Sequence, residues 1–376
     1  MSAAPGGAAV RRVVISSFDN PAHPHYQGGG VAVIEAMAGR LGEDFEVTVL
    51  TVGRRSESVL HNGIRYRRLP LQWAGPRAGQ LVYHAVLPFA ARRLRHDLWI
   101  ENFTPPFSTS FLPLFVRTPV LGFAQALQGR ELSRRYRFPF FLIERLGLRC
   151  YRDVLVLNPA DQALVTAANP AAAVHLIPNG IQTADLDVKS LGGGEHVLFL
   201  GRIDVWKKGI DYLIEAYERS RLDLPLLIAG AGLPREERRL AELVERTSAD
   251  VRWIGHVTGE RKRELLQRSA FVVMPSRYET FGLSALEAMS HAKPVLHFDL
   301  PTLGWMDGDV AVPAYDTAVL AEQMRTLAGD EPLRRELGRK AHTAAQKYGH
   351  DETAERYLAL ARKLLSRSGP RRSSGK

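Results

Sequence analysis

Short apolar segments alternate with helix-forming segments along most of the chain, and this alternation constrains the fold more than any other feature. In the first half the predicted strands are Val13–Ile15, Phe45–Leu50, Leu98–Ile100, Val120–Phe123 and Val154–Leu157. In the second half they lie near His196–Leu200, Pro225–Ala229, Val251–Ile254, Phe271–Met274 and Pro294–His297. Strands that alternate with helices predict parallel, doubly wound α/β sheets, which bind ligands beyond the carboxyl ends of their strands.

The turn-rich segment Ile177–Ile181 separates the two series and predicts a domain boundary. A chain of 376 residues is long enough for two domains of ordinary size. We therefore predict an N-terminal domain, a second domain, and a final amphipathic helix with a basic tail, at residues 1–180, 181–348 and 349–376. Residues 1–10 are small and rich in glycine and proline, so we expect them and the basic tail to be disordered.

Charge and cysteine content limit the compartment and the partners. The net charge of +10 permits an acidic partner such as a sugar nucleotide, an anionic membrane or a nucleic acid, and does not choose among them. Cys150 is the only cysteine, so an internal disulfide is excluded. The sequence shows neither a signal peptide nor an apolar stretch near the ~20 residues that span a membrane. We predict a cytoplasmic protein.

The stretch Phe271–Val295 carries the first chemical signal. A buried strand leads through a turn with Gly282 into a helix-forming run, and this geometry points backbone N–H groups and the positive helix end at an anion. Glu279 precedes the turn and Glu287 lies in the second helical turn, so the two could hold a sugar and a ribose on either side of a diphosphate. Glutamates are also common in first helical turns for structural reasons, so the pattern alone leaves both interpretations open.

A second strand-to-helix turn, in Phe199–Gly209, contains the three cations Arg202, Lys207 and Lys208. Arginine offers a forked donor to phosphate, and lysine offers a compact charge. A basic cluster can equally be a solvated surface turn. Two such turns about seventy residues apart are more specific together than either is alone.

Both turns resemble motifs of one family. E-T-F-G-L-S-A-L-E at 279–287 resembles the E-x7-E motif of retaining glycosyltransferases of the GT-B fold, in the GT4 family, and the run at 201–209 resembles the phosphate motif of the same enzymes. The resemblance implies two Rossmann-like doubly wound domains facing a central cleft, with the terminal helix returning to the first domain. It also implies a nucleoside diphosphate sugar as donor, with UDP preferred to GDP, and no metal or other cofactor.

The resemblance also implies roles for single residues. Arg202 and Lys208 would stabilise the leaving diphosphate, Glu279 would hold the sugar and Glu287 the ribose. Further donor-binding positions would be Gly28, Gly29, Gly30, Lys207, His256, Val257, Thr280, Phe281, Gly282 and Leu283. The leaving phosphate would help to deprotonate the acceptor hydroxyl. A sugar-nucleotide isomerase or hydrolase on the same fold, and a non-catalytic sugar-nucleotide-binding partner protein, remain as alternatives.

One position departs from the family. Many GT4 enzymes have a histidine after the strand that here is Val120–Phe123, and this chain has Gln125. Glutamine can form hydrogen bonds but does not titrate near neutrality, so the detail of the reaction centre is open. We expect Gln125 to take a positioning role in the reaction, at the end of its strand and facing the cleft.

Two Asp-x-Asp pairs, Asp185–Asp187 and Asp307–Asp309, could in principle bind a divalent metal. Pairs this short often arise by chance, and both lie away from the phosphate motifs, so we expect no metal.

The basic stretch Arg130–Asp153 contains the aromatic residues Phe138, Phe140 and Phe141. We predict a helix with a solvated arginine face and a core phenylalanine face, while a membrane contact or an anionic acceptor stays open and is not favoured. The acceptor is a hydroxyl compound of unknown class, and no nucleic-acid partner is expected.

Overall fold

The computed structural model describes residues 10–20, 29–125, 127–182 and 191–367. The chain forms two compact units: Met1–Pro178 together with Thr353–Lys376, and Asn179–Glu352. The boundaries that we predicted after residues 180 and 348 differ from these by a few residues. The segments predicted to be disordered, at the amino terminus and in the basic tail, lie almost entirely outside the described residues.

The first unit is built on an eight-stranded sheet with the order β3-β4-β2-β1-β5-β6-β7-β8. These strands are, in chain order, Arg12–Ser16, Glu46–Val52, Glu57–His61, Ile64–Leu69, Leu98–Asn102, Val120–Ala124, Asp153–Val156 and Ala173–Leu176. Its helices α1–α5 are Gly29–Leu41, Gly75–Arg93, Gly129–Tyr136, Phe140–Leu148 and Pro159–Ala168. Neighbouring strands are parallel except β3 and β4.

The antiparallel pair β3–β4 is a hairpin that was not predicted from the sequence. Its turn is Asn62-Gly63, and both residues have positive φ, at 50° and 76°. This conformation matches the twist of two adjoining strands, and Asn-Gly is the dipeptide that adopts it most readily. The strands β8 and β14 were not predicted either.

The last helix, α12 (His350–Ser366), packs within the first unit over most of its length. Tyr357 contacts the ring of Phe123 edge to face, with ring centroids 6.1 Å apart. The Arg362 guanidinium also binds the Asp44 carboxylate, with Nε 2.8 Å from Oδ2. The buried face of α12 thus closes the core that lies against the sheet.

The second unit contains a six-stranded parallel sheet with the order β11-β10-β9-β12-β13-β14. Strands β9–β14 are His196–Leu200, Leu226–Ala229, Val251–Gly255, Ser269–Met274, Val295–Phe298 and Val310–Val312. Helices α6–α11 are Ile210–Ser220, Pro234–Arg246, Gly259–Arg268, Leu283–Ser290, Thr317–Gly329 and Glu331–Ala345. None of the helices in the described parts of the chain combines the length and apolar character needed to cross a membrane.

The strand order of the second sheet reverses between β9 and β12. These two strands are hydrogen-bonded neighbours, although about seventy residues separate them in the chain. All six residues of β12 are buried, as expected for a strand covered on both faces by helices. The loops that follow β9 and β12 therefore emerge side by side, at the point where open α/β sheets bind their ligands.

The basic stretch in the first unit contradicts our prediction of a helix with a core phenylalanine face. It forms two short helices, α3 and α4, because Arg137 adopts a left-handed conformation with φ 54° and Pro139 follows in the break. Phe138 and Phe141 remain 48% and 41% exposed. Helical periodicity identified an apolar side correctly but could not show whether anything covers it.

Candidate functional site

The turn after β9 is folded around Asp204. The Asp204 side chain accepts a hydrogen bond from the Lys207 backbone N–H at 3.0 Å, and its backbone carbonyl accepts one from Lys208 N–H at 2.9 Å. Gly209 ends the turn with φ 62°, and an added Cβ would lie 1.8 Å from the carbonyl oxygen of Pro275. Glycine is required here because the turn after β9 packs directly against the turn after β12.

The two turns bring together the cations and one carboxylate that the sequence predicted. Lys208 forms an ion pair with Glu279 through its Nζ, and both side chains are largely buried. Lys207 lies beside them, with its Nζ 5.0 Å from the centre of the Tyr278 ring. Burial and the neighbouring charge of Lys208 lower the pKa of the Lys207 ammonium to about 8. The charge of the exposed Arg202 also lowers the pKa of that ammonium.

Glu279 is held as a carboxylate inside this basic surrounding. Burial on its own would raise the pKa of Glu279, but the charge and hydrogen bond of Lys208, with the charge of Lys207, hold it below the usual range. Thr302 fixes the backbone of Glu279, because its hydroxyl donates to the Glu279 carbonyl at 2.6 Å. An anion that entered here would meet an excess of positive charge.

Two helices begin at this site, and each has a glycine in the left-handed conformation as its first flanking residue. Gly209 precedes α6 and Gly282 precedes α9, and no described side chain caps either helix. The first backbone N–H groups of a helix have no partner within the helix. These groups and the helix dipoles favour a phosphate or carboxylate at both positions.

The segment between Glu279 and α9 is fixed by aromatic stacking. Phe281 stacks on Trp305 with ring centroids 4.5 Å apart and an angle of 5° between the ring planes. The Trp305 indole N–H donates to the Phe281 carbonyl at 3.0 Å. Thr280 and Leu283, the neighbouring residues that the sequence assigned to the donor, are half-buried. Trp305 was not expected from the sequence.

Glu287 lies in α9 and is paired with a residue that the sequence did not predict. Lys262 in α8 places its Nζ 2.7 Å from Glu287 Oε1, and both side chains are partly exposed. A ribose that used Glu287 would share the carboxylate with Lys262. The other predicted base contacts follow β11, where His256 is exposed and Val257 is buried.

Three of the predicted site residues lie in the described part of the first unit. Gly29 and Gly30 begin α1, and Gln125 follows β6. A Cβ on Gly30 would lie 2.5 Å from Gln125 Oε1, so this glycine makes room for the amide. The amide nitrogen, Nε2, is buried without a hydrogen-bond partner among the described residues. Gly28, also assigned to the donor, lies outside the described residues.

Arg277 is the main residue of this site that sequence reasoning overlooked. Its guanidinium binds Asp211 through two hydrogen bonds of 2.7 and 2.8 Å, and it donates to the Trp206 carbonyl at 2.7 Å. It also lies 3.8 Å above the ring of Tyr212. Its backbone N–H donates to the Lys207 carbonyl at 3.0 Å. Arg277 therefore joins the turn after β12 to the turn that carries the lysines.

Of the two Asp-x-Asp pairs considered for a metal, the structure describes Asp307–Asp309. Asp309 binds His297 at 2.8 Å in a largely buried pair, while Asp185 and Asp187 lie outside the described residues. Within the described ranges, no group of three or more His, Cys, Asp and Glu side chains is arranged to hold a metal ion.

Parallel sheets whose strand order reverses beside cationic turns with glycines indicate an α/β protein that binds an anionic ligand. Comparison with solved structures supports this fold. Among solved structures, sucrose-phosphate synthase from Thermosynechococcus elongatus superposes with a TM-score of 0.79 at 20% identity, over 95% of this chain and 100% of that chain. WaaG, a glycosyltransferase involved in lipopolysaccharide biosynthesis, gives a TM-score of 0.71 at 17% identity, over 93% of this chain and 99% of that chain. The predicted GT-B fold is confirmed.

Sequence comparison finds similarity to glycosyltransferases in the second half of the chain. Residues 194–330 match the family described as Glycosyl transferases group 1. The chain is 30% identical to the phosphatidyl-myo-inositol mannosyltransferase of Mycobacterium leprae over 197 residues, which is 49% of this chain and 52% of that protein. It is 31% identical to the glycogen synthase of Mycobacterium tuberculosis over 209 residues, 51% of this chain and 50% of that protein. The predicted resemblance to the GT4 family is confirmed, and the residues that match the family model lie in the second unit. The chain spans about half the length of these curated relatives.

Proposed function

We propose that this protein transfers a sugar from a nucleoside diphosphate sugar to an acceptor hydroxyl, with retention of the anomeric configuration and without a metal ion. The observation that carries the proposal is the cluster of Lys207, Lys208 and Glu279 at the reversal of strand order in the second unit. Two uncapped helix starts lie at the same turns. Together these groups suit a diphosphate that gains negative charge as it leaves.

In the proposed reaction, the bond between the anomeric carbon and the diphosphate oxygen breaks, and a bond to the acceptor oxygen forms on the same face. The acceptor proton passes to the departing phosphate. Arg202 and Lys208 stabilise the charge on that phosphate, and Glu279, a carboxylate near neutral pH, accepts hydrogen bonds from the donor sugar. Side chains supply the positive charge around the phosphate, so the proposal needs no divalent ion.

We take UDP as the nucleotide, in preference to GDP. The structural neighbour HepE from Anabaena, solved with UDP and glucose, has a TM-score of 0.70 to this chain at 16% identity, over 95% of this chain and 99% of that chain. Glu287 is proposed to accept the ribose hydroxyls, with His256 and Val257 near the base. The acceptor is left as a hydroxyl compound.

Thermal unfolding with bare nucleotides tests the donor site before any acceptor is known. A ligand that binds only the folded protein raises the melting temperature by mass action. We expect UDP to raise it more than GDP does, and UMP, which lacks the second phosphate, to raise it least. Lys208→Ala and Arg202→Ala should reduce the UDP shift, whereas Arg339→Ala, an exposed arginine on α11, should not.

Turnover tests the chemistry. NMR of the product should show the anomeric configuration of the donor, and Lys208→Ala or Arg202→Ala should reduce turnover about a hundredfold or more. Excess chelator should leave the rate unchanged. An inverted product, near-normal turnover in both variants, or activity that is lost with chelator and restored by manganese would contradict the corresponding part of the proposal.

A further inference from the structure

Helices α3 and α4 of the first unit, with the break between them, present large apolar side chains to solvent. Tyr136, Phe138, Phe141, Leu142 and Leu146 are 50%, 48%, 41%, 46% and 55% exposed. Isolated exposed apolar residues are normal, but five within eleven positions of one segment form a patch. We call these five residues, with the arginines between and beside them, the docking face.

The apolar residues of α4 lie on the side of the helix that faces solvent. Phe141, Leu142 and Leu146 are spaced so that they share one face, while Glu144, Gly147 and Leu148 are buried on the other. In a helix on the surface of a globular protein the exposed side is normally polar. Here the outward side is apolar, so ordinary packing within the unit does not account for it.

Hydrogen bonds fix the two helices that carry the docking face. Glu144 accepts a hydrogen bond from the Ser108 hydroxyl at 2.5 Å and one from the Gly129 backbone N–H at 3.0 Å. The Ser133 hydroxyl accepts from the Phe141 backbone N–H at 3.1 Å, which joins α3 to the start of α4. The exposed side chains therefore stand on a fixed pair of helices.

Positive charge surrounds the apolar side chains. Residues 129–149 contain six exposed arginines, at positions 130, 134, 135, 137, 145 and 149, and only two acids, Glu131 and Glu144. Burial raises the pKa of Glu144, which disfavours its negative charge. The docking face is therefore both cationic and apolar. A second copy would bring the same positive charges together, so self-association through this face is disfavoured.

We propose that the docking face binds the surface of an anionic lipid bilayer. Exposed aromatic and leucine side chains can enter the boundary between headgroups and acyl chains, and the arginines can bind the lipid phosphates. Each basic residue near an anionic membrane surface adds to the binding, and salt weakens that part. The inference concerns binding to a surface and does not depend on the proposed sugar transfer.

Sedimentation of the full chain with vesicles tests this inference. We expect binding to vesicles of phosphatidylcholine and phosphatidylglycerol mixed about three to one, and little binding to phosphatidylcholine alone. Phe141→Gln with Leu146→Gln should weaken binding about tenfold, because Gln keeps helix propensity and removes the apolar contact. Arg134→Glu with Arg137→Glu should weaken it by about tenfold or more, and raised salt should weaken binding by the wild-type chain.

Two matched control variants distinguish binding by the docking face from non-specific hydrophobic or electrostatic binding. Leu60→Gln removes a side chain that is 75% exposed on β3, and Arg339→Glu reverses an exposed charge in the second unit. Neither should change vesicle binding. Equal binding to neutral and anionic vesicles, equal losses in the controls, or unchanged binding in both docking-face variants with wild-type melting temperatures would overturn the inference. So would wild-type self-association by light scattering that the docking-face substitutions abolish, since that result would assign the face to a second copy.

Discussion

Removing the ammonium of Lys208 tests the electrostatics of the site without any substrate. Lys208 and Glu279 form an ion pair whose side chains are only 19% and 13% exposed. In Lys208→Met the aliphatic chain remains, but Glu279 is left as a buried carboxylate with the weaker help of Lys207. Breaking a buried pair from one side typically costs 3–5 kcal/mol, and the residual exposure places this pair near the lower end, about 3 kcal/mol.

The size of the effect can be read as a melting temperature. For a folding unit of 150–250 residues, 1 kcal/mol corresponds to roughly 2–4 °C, so Lys208→Met should melt roughly 6–12 °C lower near pH 7. The double variant Lys208→Met with Glu279→Gln should recover most of this loss, because it leaves no unpaired charge. Differential scanning calorimetry of the wild type, the two single variants and the double variant measures the four melting temperatures.

The pH dependence has a definite sign. In the wild-type protein the pKa of Glu279 lies below its unfolded value, so the pair stabilises above the unfolded pKa and this contribution is lost as the pH falls through the folded pKa. In Lys208→Met the charge and hydrogen bond of Lys208 no longer oppose burial, which is already the largest single influence, so the pKa of Glu279 should rise. The variant is then penalised most at high pH, and the gap between the two melting temperatures should narrow from about pH 7 to about pH 5. A gap that stays constant, or a double variant no more stable than the single one, would refute this account of the site.

Three other outcomes follow from the geometry. Arg277→Lys keeps a charge but loses the forked contact to Asp211. Turnover should therefore fall about tenfold, while the melting temperature stays close to that of the wild type. An unchanged rate in steady-state kinetics would show that Arg277 does not position the lysines. Glu287→Gln should weaken binding of bare UDP, whereas Glu279→Gln should leave UDP binding unchanged and weaken binding of the sugar donor. Calorimetry with both ligands measures these affinities, and equal losses for both ligands in both variants would contradict the division. Gln125→Ala should lower turnover about tenfold to a hundredfold with little change in donor binding, since it removes one oriented polar contact; an unchanged rate would remove Gln125 from the reaction centre.

Local sequence patterns predicted most of the sheet strands. The run at β9 matches the observed strand to the residue, and β12 was found two residues short, because uninterrupted apolar runs between turns are typical of strands buried on both faces. The hairpin β3–β4 was missed although its Asn62-Gly63 turn is a strong signal. Its strands carry many charged residues, which weakened the apolar pattern by which the other strands were recognised.

The partners across the site were beyond sequence reasoning for a different reason. Arg277 and Asp211 are 66 residues apart, and Lys262 is 25 residues from Glu287. Such pairs depend on which strands become neighbours, and strand order follows from the packing of the whole unit. The sequence identified which residues could hold a diphosphate, and only the fold showed that Lys208 and Glu279 neutralise each other and that Arg277 joins their turns.

In the proposed donor site, the Lys208–Glu279 pair also balances charge. Three neighbouring cations would repel one another if they were unpaired, and the carboxylate of Glu279 offsets part of this repulsion. A bound diphosphate would supply negative charge in its place and release Glu279 to accept hydrogen bonds from the sugar. We therefore propose that Glu279 both balances the charge of the lysines and orients the donor sugar, because both tasks need a buried carboxylate at the same point. The turn after β9 can keep one geometry throughout, since Asp204 and Arg277 hold its backbone independently of the ion pair.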